Sequence, residues 1–242
     1  MKRKHFPAIA FAVFIVALVL SAPRPTQAQS QADSKPSYPS MAPVDQYLME
    51  RDAEIALARS AGPDFIARDA EILVLTSHGY ETAVKGKNGF TCLIERGWTA
   101  TPDDPNFWNP KLHGPLCLNA AAVRSYLPIT IKKTDLVLRD HSKEKMMEGI
   151  RDGIAKKQLP TPEPGAMSYM LSKDGYLGDG NGHWRPHLMF FIPLTDTETW
   201  GANETGSQVY GVKLPNDSLT LFFVPVSTWS DGTPDTSPHH EQ

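Results

Sequence analysis

The segment from Gly178 to His187 holds the densest group of side chains that could do chemistry, in the order GDGNGHWRPH. Three glycines within five residues allow the backbone to turn tightly or to approach a ligand closely. Two imidazoles, an indole and a guanidinium follow them, a mixture typical of a binding loop held by a rigid scaffold. The segment therefore predicts a ligand site formed by His183, Trp184, Arg185 and His187.

Four tryptophans fall in predicted loops or at strand ends, where flat amphipathic rings can line a groove. They are Trp98, Trp108, Trp184 and Trp200. Each ring taken singly could instead anchor the base of a loop. Trp108 lies in the stretch 101–114, which we expect to form an ordered loop over the sheet, and we add it to the predicted ligand site. A small molecule or a cell-envelope fragment, such as a sugar, is the ligand class that this pattern favours.

A metal site is the alternative interpretation of the same loop. His183 and His187 are four residues apart, but Pro186 and the glycines disfavour a helix that would bring both rings to one ion. On an extended segment the rings would lie about 13 Å apart. A zinc-dependent hydrolase would therefore need Asp179 or a distant histidine as a further ligand. The candidates for that distant ligand are His78, His113 and His141. Zinc is implied only by this hydrolase interpretation, and the leading interpretation of a ligand-binding protein predicts no cofactor. A structural or interaction module is the third option.

The first 28 residues have the three parts of a cleavable export signal. Residues 2–4 are basic, residues 8–20 form an apolar run of 13, and small residues occupy positions 26 and 28. The apolar run is shorter than the about 20 residues that a membrane-spanning helix needs. We therefore expect a periplasmic or secreted protein, although an uncleaved anchor remains the other interpretation.

Cleavage would make the chain more acidic. The full sequence has 24 basic and 27 acidic residues, and the first 28 positions contain four of the basic ones and none of the acidic ones. The net charge would thus move from −3 to about −7. Nucleic acids and anionic membranes need clustered Lys and Arg, so neither is an expected partner. We expect no stable membrane insertion after cleavage, and the sequence carries no signal for an oligomeric state.

Cys92 and Cys117 are the two cysteines of the chain. In an oxidising compartment they predict a disulfide. Closing this loop would stabilise the fold by about 3.5 kcal/mol in the chain-entropy model. A nucleophilic Cys117 assisted by His113 is the competing interpretation, but Pro115 between them prevents a helical pairing.

Apolar periodicity predicts an α+β fold with an antiparallel sheet of two meander or hairpin regions, an N-terminal helix and a central helical segment. The Asn-Gly pair in 85–89 predicts a hairpin between strands 80–84 and 90–94. The other predicted elements are helices 43–60, 120–126 and 142–159 and strands 72–75, 167–171, 187–193, 209–214 and 219–226. We expect a flexible lead-in over 29–42, one domain over 43–230 and a disordered tail over 231–242. Motifs for nucleotide binding and for a serine nucleophile elbow are missing from the sequence.

Overall fold

An eight-stranded sheet forms the centre of the computed structural model, which describes residues 38–178 and 185–236. The strands are β1 (Glu71–Thr76), β2 (Gly79–Val84), β3 (Thr91–Glu95), β4 (Gly114–Leu118), β5 (Met167–Met170), β6 (His187–Pro193), β7 (Tyr210–Leu214) and β8 (Leu219–Pro225). Their order across the sheet is β2-β1-β3-β4-β5-β6-β8-β7. β1 and β3 run parallel, and the other neighbours in this order run antiparallel.

The described part of the chain contains five α-helices. They are α1 (Arg51–Arg59), α2 (Asp64–Ala67), α3 (Ala120–Ser125), α4 (Leu127–Asp140) and α5 (Lys143–Ala155). Ala58 of α1 packs on one face against Ile72 and Cys117. Helices α3, α4 and α5 contribute to the larger core on the opposite face, which also contains buried residues of the central strands. Helices and a mostly antiparallel sheet confirm the predicted α+β class.

Local capping explains where two of the helices begin. The Glu50 carboxylate accepts hydrogen bonds from the backbone N–H groups of Asp52 and Ala53, at 2.9 and 3.3 Å, and so caps α1. The Ser142 hydroxyl accepts from the N–H of Lys145, at 3.3 Å, and caps α5. These side chains satisfy N–H groups that the first turn of a helix leaves without partners.

The predicted hairpin at residues 85–89 is wrong. β2 pairs with β1 across a turn at residues 77–78, and β3 lies on the other side of β1. The Asn88 side chain instead donates to the carbonyl of Ile66 and accepts from the N–H of Phe90. The segment therefore crosses the end of β1, because tertiary contacts outweigh the local preference of Asn-Gly for a tight turn.

Helix α4 was not expected from the sequence. Pro128, just after the predicted helix 120–126, occupies the first turn of α4. Proline is tolerated there because the first turn has no hydrogen-bond partner for its missing N–H. The α3–α4 junction at Tyr126 is therefore a break between two helices, with one of them continuing to Asp140.

The ends of the described chain pack on the fold. Met41 and Ala42, in the predicted lead-in, pack against the core, and the N–H of Ala42 donates to the Tyr47 hydroxyl at 3.1 Å. At the other end, the Trp229 N–H donates to the carbonyl of Thr233 at 2.9 Å. These contacts lie in the described parts of the two segments, and the flexible lead-in over 29–42 and the disordered tail over 231–242 stay predictions.

The disulfide between Cys92 and Cys117 is present, which confirms the prediction. The two residues are directly opposite each other on β3 and β4, with 4.0 Å between their Cα atoms. The bond thus crosslinks two central strands beneath α1. Among the described residues, no helix is long and apolar enough to cross a membrane.

Candidate functional site

Strand pairing brings two histidines to one edge of the sheet, here called the loop edge and defined by His113, Arg185 and His187. β4 begins directly after His113, and β6 begins at His187. β5 lies between them and is antiparallel to both, with Met170 opposite His187. The starts of β4 and β6 therefore lie at the same edge of the sheet. The register directs the His113 side chain to the face covered by α1 and the His187 side chain to the opposite face.

The predicted binding loop starts from a tightly packed glycine. Gly178 has a φ of +132°. A Cβ atom at this position would lie 2.2 Å from Cγ of Asn106, so no other residue fits without displacing that side chain. Asn106 is buried, and its Oδ1 accepts a hydrogen bond from Asn109 Nδ2 at 3.1 Å. The start of the loop is thus held against the 101–114 segment.

The loop ends at the half-buried His187. Its Nδ1 lies 2.8 Å from the carbonyl oxygen of Arg185, and its ring centroid lies 5.6 Å from that of Phe223. Burial lowers the pKa of His187, and the carbonyl opposes this effect only in part. The neutral ring therefore donates from Nδ1 to the carbonyl, and Nε2 is its acceptor nitrogen.

His113 is fixed at the same edge by two backbone hydrogen bonds to Tyr176. The N–H of each residue donates to the carbonyl of the other, at 2.9 Å in both cases. Burial and the guanidinium of Arg96 lower the pKa of His113 to about 4. At neutral pH the His113 ring is therefore uncharged, so one of its nitrogens is a donor and the other an acceptor.

A buried ion pair supplies the positive charge near His113. Arg96 Nη2 lies 2.9 Å from Glu54 Oε1, and neither side chain is exposed to solvent. Arg96 also donates to the carbonyls of Tyr47 and Ile94, at 3.0 and 2.7 Å. Glu54 Oε1 accepts from the N–H of Leu75, whereas Oε2 has no hydrogen-bond partner in the described part of the chain. The pair joins α1 to the end of β3 and fixes the guanidinium in place.

The other predicted site residues either lie outside the described residues or are part of the core. Asp179, His183 and Trp184 lie outside the described residues, so their roles stay predictions. The Trp108 ring is in the core, 6% exposed, and meets Phe107 edge to face at a centroid distance of 4.6 Å. Across residues 38–178 and 185–236, no group of three or more His, Cys, Asp or Glu side chains is arranged to hold a metal ion.

The described tryptophans of the predicted groove are in two kinds of environment. Trp98 is fully buried, and its indole N–H donates to the Thr134 hydroxyl at 3.0 Å. Trp200 is 41% exposed and stacks on Phe222 at a centroid distance of 4.3 Å. Trp98 and Trp108 therefore serve as packing residues, and Trp200 is the exposed ring among these three.

A cleft of about 550 Å³ lies away from the loop edge and was not predicted from the sequence. It is bounded by residues 100–103, by the first two turns of α5 and by residues 213–217, at the end of β7 and in the turn before β8. Lys133, Lys143 and Lys213 line it, and we call it the lysine cleft.

A buried polar network lies behind the lysine cleft. Lys133 Nζ is 2.6 Å from Asp217 Oδ2, and the two side chains are 7% and 5% exposed. Glu95 Oε1 accepts from the hydroxyls of Tyr126 and Thr130, at 2.9 and 3.2 Å. Burial raises the pKa of Glu95, although these hydroxyls and the charge of Lys133 oppose the effect. A carboxyl that holds its proton more strongly than usual thus lies close to a buried ammonium.

Comparison of the chain with known protein families, with curated proteins and with solved structures gives no match. Function is therefore inferred from the geometry and chemistry of this chain alone.

Proposed function

We propose that the protein is exported by a cleavable signal at residues 1–28 and acts in the periplasm or outside the cell. The basic, apolar and small-residue order of this segment supports the proposal. The Cys92–Cys117 disulfide also supports it, because such bonds persist mainly in oxidising compartments.

Export can be tested by expressing the full chain in a bacterium that secretes proteins. We expect the protein in the periplasmic or medium fraction, with Gln29 as its first residue by N-terminal sequencing. Full-length protein retained in the cell, with residue 1 intact, would contradict cleavage.

We further propose that the mature protein binds a small-molecule or cell-envelope ligand at the loop edge. The observation that carries this proposal is the placement of Arg185 and His187 at the start of β6, at the base of the predicted binding loop. Neutral imidazoles can donate to and accept from hydroxyl and amide groups. A guanidinium recognises carboxylates. Soluble peptidoglycan fragments present all three kinds of group.

Soluble muropeptides are therefore the probe for this site. Titration into the mature protein should change tryptophan fluorescence, and the affinity should be confirmed by calorimetry. Arg185→Gln should weaken binding by about tenfold, the usual effect of losing one hydrogen bond to a charged group. Trp184→Phe should remove most of the fluorescence change, whereas Lys156→Gln on the exposed end of α5 is the matched control. Equal binding by all three variants would move the site elsewhere.

A zinc-dependent hydrolase using His183, His187 and Asp179 is the second candidate. The observation that favours it is the position of His187 at the end of the predicted loop, with a lowered pKa that keeps its ring uncharged, as a metal ligand requires. The purified mature protein should then contain about one equivalent of zinc. Zinc-free protein whose melting temperature is unchanged by chelator and by added zinc would exclude this candidate. A structural or interaction module would be supported if muropeptides also fail to bind.

A further inference from the structure

We propose that the lysine cleft binds a small organic acid, with its acid group at Lys133 and Lys143 and its apolar body on the floor of the cleft. This site shares no lining residue with the loop edge. It is therefore a second binding site, and its test is independent of the ligand proposed there.

The cleft has the size and the floor of a small-molecule site. Its volume of about 550 Å³ falls within the about 300 to 1,000 Å³ of typical ligand pockets. Met146, Ile150 and Leu214 line it and are buried, and Met147 lies beside them half-buried. Flexible methionine side chains adapt to apolar ligands of different shapes. Of these side chains, the half-buried Met147 offers the apolar body of a ligand the most accessible surface.

Lys133 has a donor that its protein contacts do not use. Its ammonium donates to Asp217 Oδ2 at 2.6 Å and to the carbonyl of Thr99 at 3.4 Å. An ammonium has three N–H donors, so in the described part of the chain one remains. The protein is more stable when a buried donor of this kind has a hydrogen-bond acceptor. An acid oxygen in the cleft would provide that acceptor.

Lys143 forms no ion pair with a described carboxylate, although its charge contributes to the lowered pKa of the exposed Glu144 beside it. Its ammonium donates to the carbonyl of Pro102 and lies 4.5 Å from the centroid of the Phe107 ring. By contrast, Lys133 is paired with Asp217, and Lys213 is paired with Asp196 at 3.0 Å. The half-buried Lys143 therefore provides the excess charge inside the cleft.

The acidic residues of the cleft do not cancel its preference for an anionic ligand. Asp217 is already neutralised by Lys133. Asp103 and Glu144 are exposed at the rim, where water screens their charges. An organic cation would find no unpaired buried carboxylate in the cleft wall, whereas an organic anion finds Lys143 and the remaining donor of Lys133. The charge distribution thus favours an acid.

Decanoate is the first probe, tested on the mature protein by isothermal titration calorimetry. Decanol and decylamine have the same apolar chain with a neutral and a cationic head. We expect decanoate to bind at least about tenfold more tightly than either, as one charge-assisted hydrogen bond would provide. No measurable binding of decanoate in the low millimolar range, or equal or tighter binding of decanol or decylamine, would overturn the proposal.

Variants of α5 locate the site. Lys143→Met keeps the aliphatic stem and removes the charge, so it should weaken decanoate binding by about tenfold while leaving decanol unaffected. Lys143→Arg should restore binding. Met147→Trp should fill the space above the floor and so weaken the binding of both decanoate and decanol. Lys156→Met is the matched control, because Lys156 is on the exposed end of the same helix and is paired with Asp152. Equal binding by Lys143→Met and Lys156→Met would place the ligand elsewhere and overturn the proposal.

Discussion

The lowered pKa of His113 makes the stability of this protein depend on pH in a defined direction. The folded protein holds the imidazole neutral down to about pH 4, whereas the ordinary pKa of histidine is 6.5. The unfolded chain therefore binds more protons than the folded chain between these values. Stability contributed by the neutral ring is fully present above pH 6.5 and is lost as the pH falls toward 4.

The size of this effect follows from the two pKa values. Their separation, at about 1.4 kcal/mol for each pH unit, corresponds to about 3.5 kcal/mol in full, of which about 3 kcal/mol is lost by pH 4. His113→Gln removes the titrating group. Between pH 7 and pH 4, the free energy of unfolding of this variant should therefore fall by about 3 kcal/mol less than that of the wild type.

Urea unfolding followed by tryptophan fluorescence at several pH values measures this difference. His78→Gln is the control, because His78 lies exposed in the turn between β1 and β2. This control should follow the wild-type curve. Direct titration of the imidazole by nuclear magnetic resonance provides a second readout. A midpoint for His113 near 6.5, or a variant that loses stability as steeply as the wild type, would refute the reasoning.

Three further predictions concern the packing of the fold. Gly178→Ala should destabilise the protein by about 2 kcal/mol in urea unfolding, because Gly178 has a positive φ and an added Cβ would clash with Asn106. Adding Asn106→Gly should recover part of this loss, and no recovery would contradict the contact. The raised pKa of Glu95 means that its ionisation destabilises the fold as the pH rises above 4.5. The stability of Glu95→Gln relative to wild type should therefore increase from pH 5 to pH 8, and a difference in unfolding free energy that stays constant over this range would argue against the prediction. Replacing both Cys92 and Cys117 by alanine should cost about 2 to 4 kcal/mol by the same assay, and a loss below about 1 kcal/mol would show that the crosslink contributes little.

Short-range patterns predicted the C-terminal half of the sheet well. Alternating or continuous apolar runs separated by turn residues gave β5 to β8, and the β7–β8 hairpin is present. Here neighbours in sequence are mostly neighbours in the sheet, so local signals suffice. The parallel pairing of β1 with β3 could not be predicted in this way, because the Asn88 amide is used by a contact with Ile66 rather than by a tight turn.

Local sequence patterns predict even less of the candidate sites, because these sites join distant parts of the chain. The glycine-rich segment ending at His187 is visible in the sequence because its functional groups are consecutive. His113 is about 70 residues earlier, and only the antiparallel pairing of β4, β5 and β6 brings it to the same edge. The lysine cleft is assembled from four separate parts of the chain, each unremarkable by itself. No periodicity or motif encodes such a convergence.

The position of the disulfide makes it a reporter of motion. Cys92 and Cys117 are fully buried, and the Cys117 sulfur lies 3.7 Å from the carbonyl oxygen of Ala58 in α1. A reducing agent in solution therefore reaches the bond only when α1 and residues 61–62, which follow it, move away from the sheet. The rate of reduction in native buffer should consequently measure how often this helix undocks, and a ligand that stabilises its packing would slow the reaction without touching either sulfur.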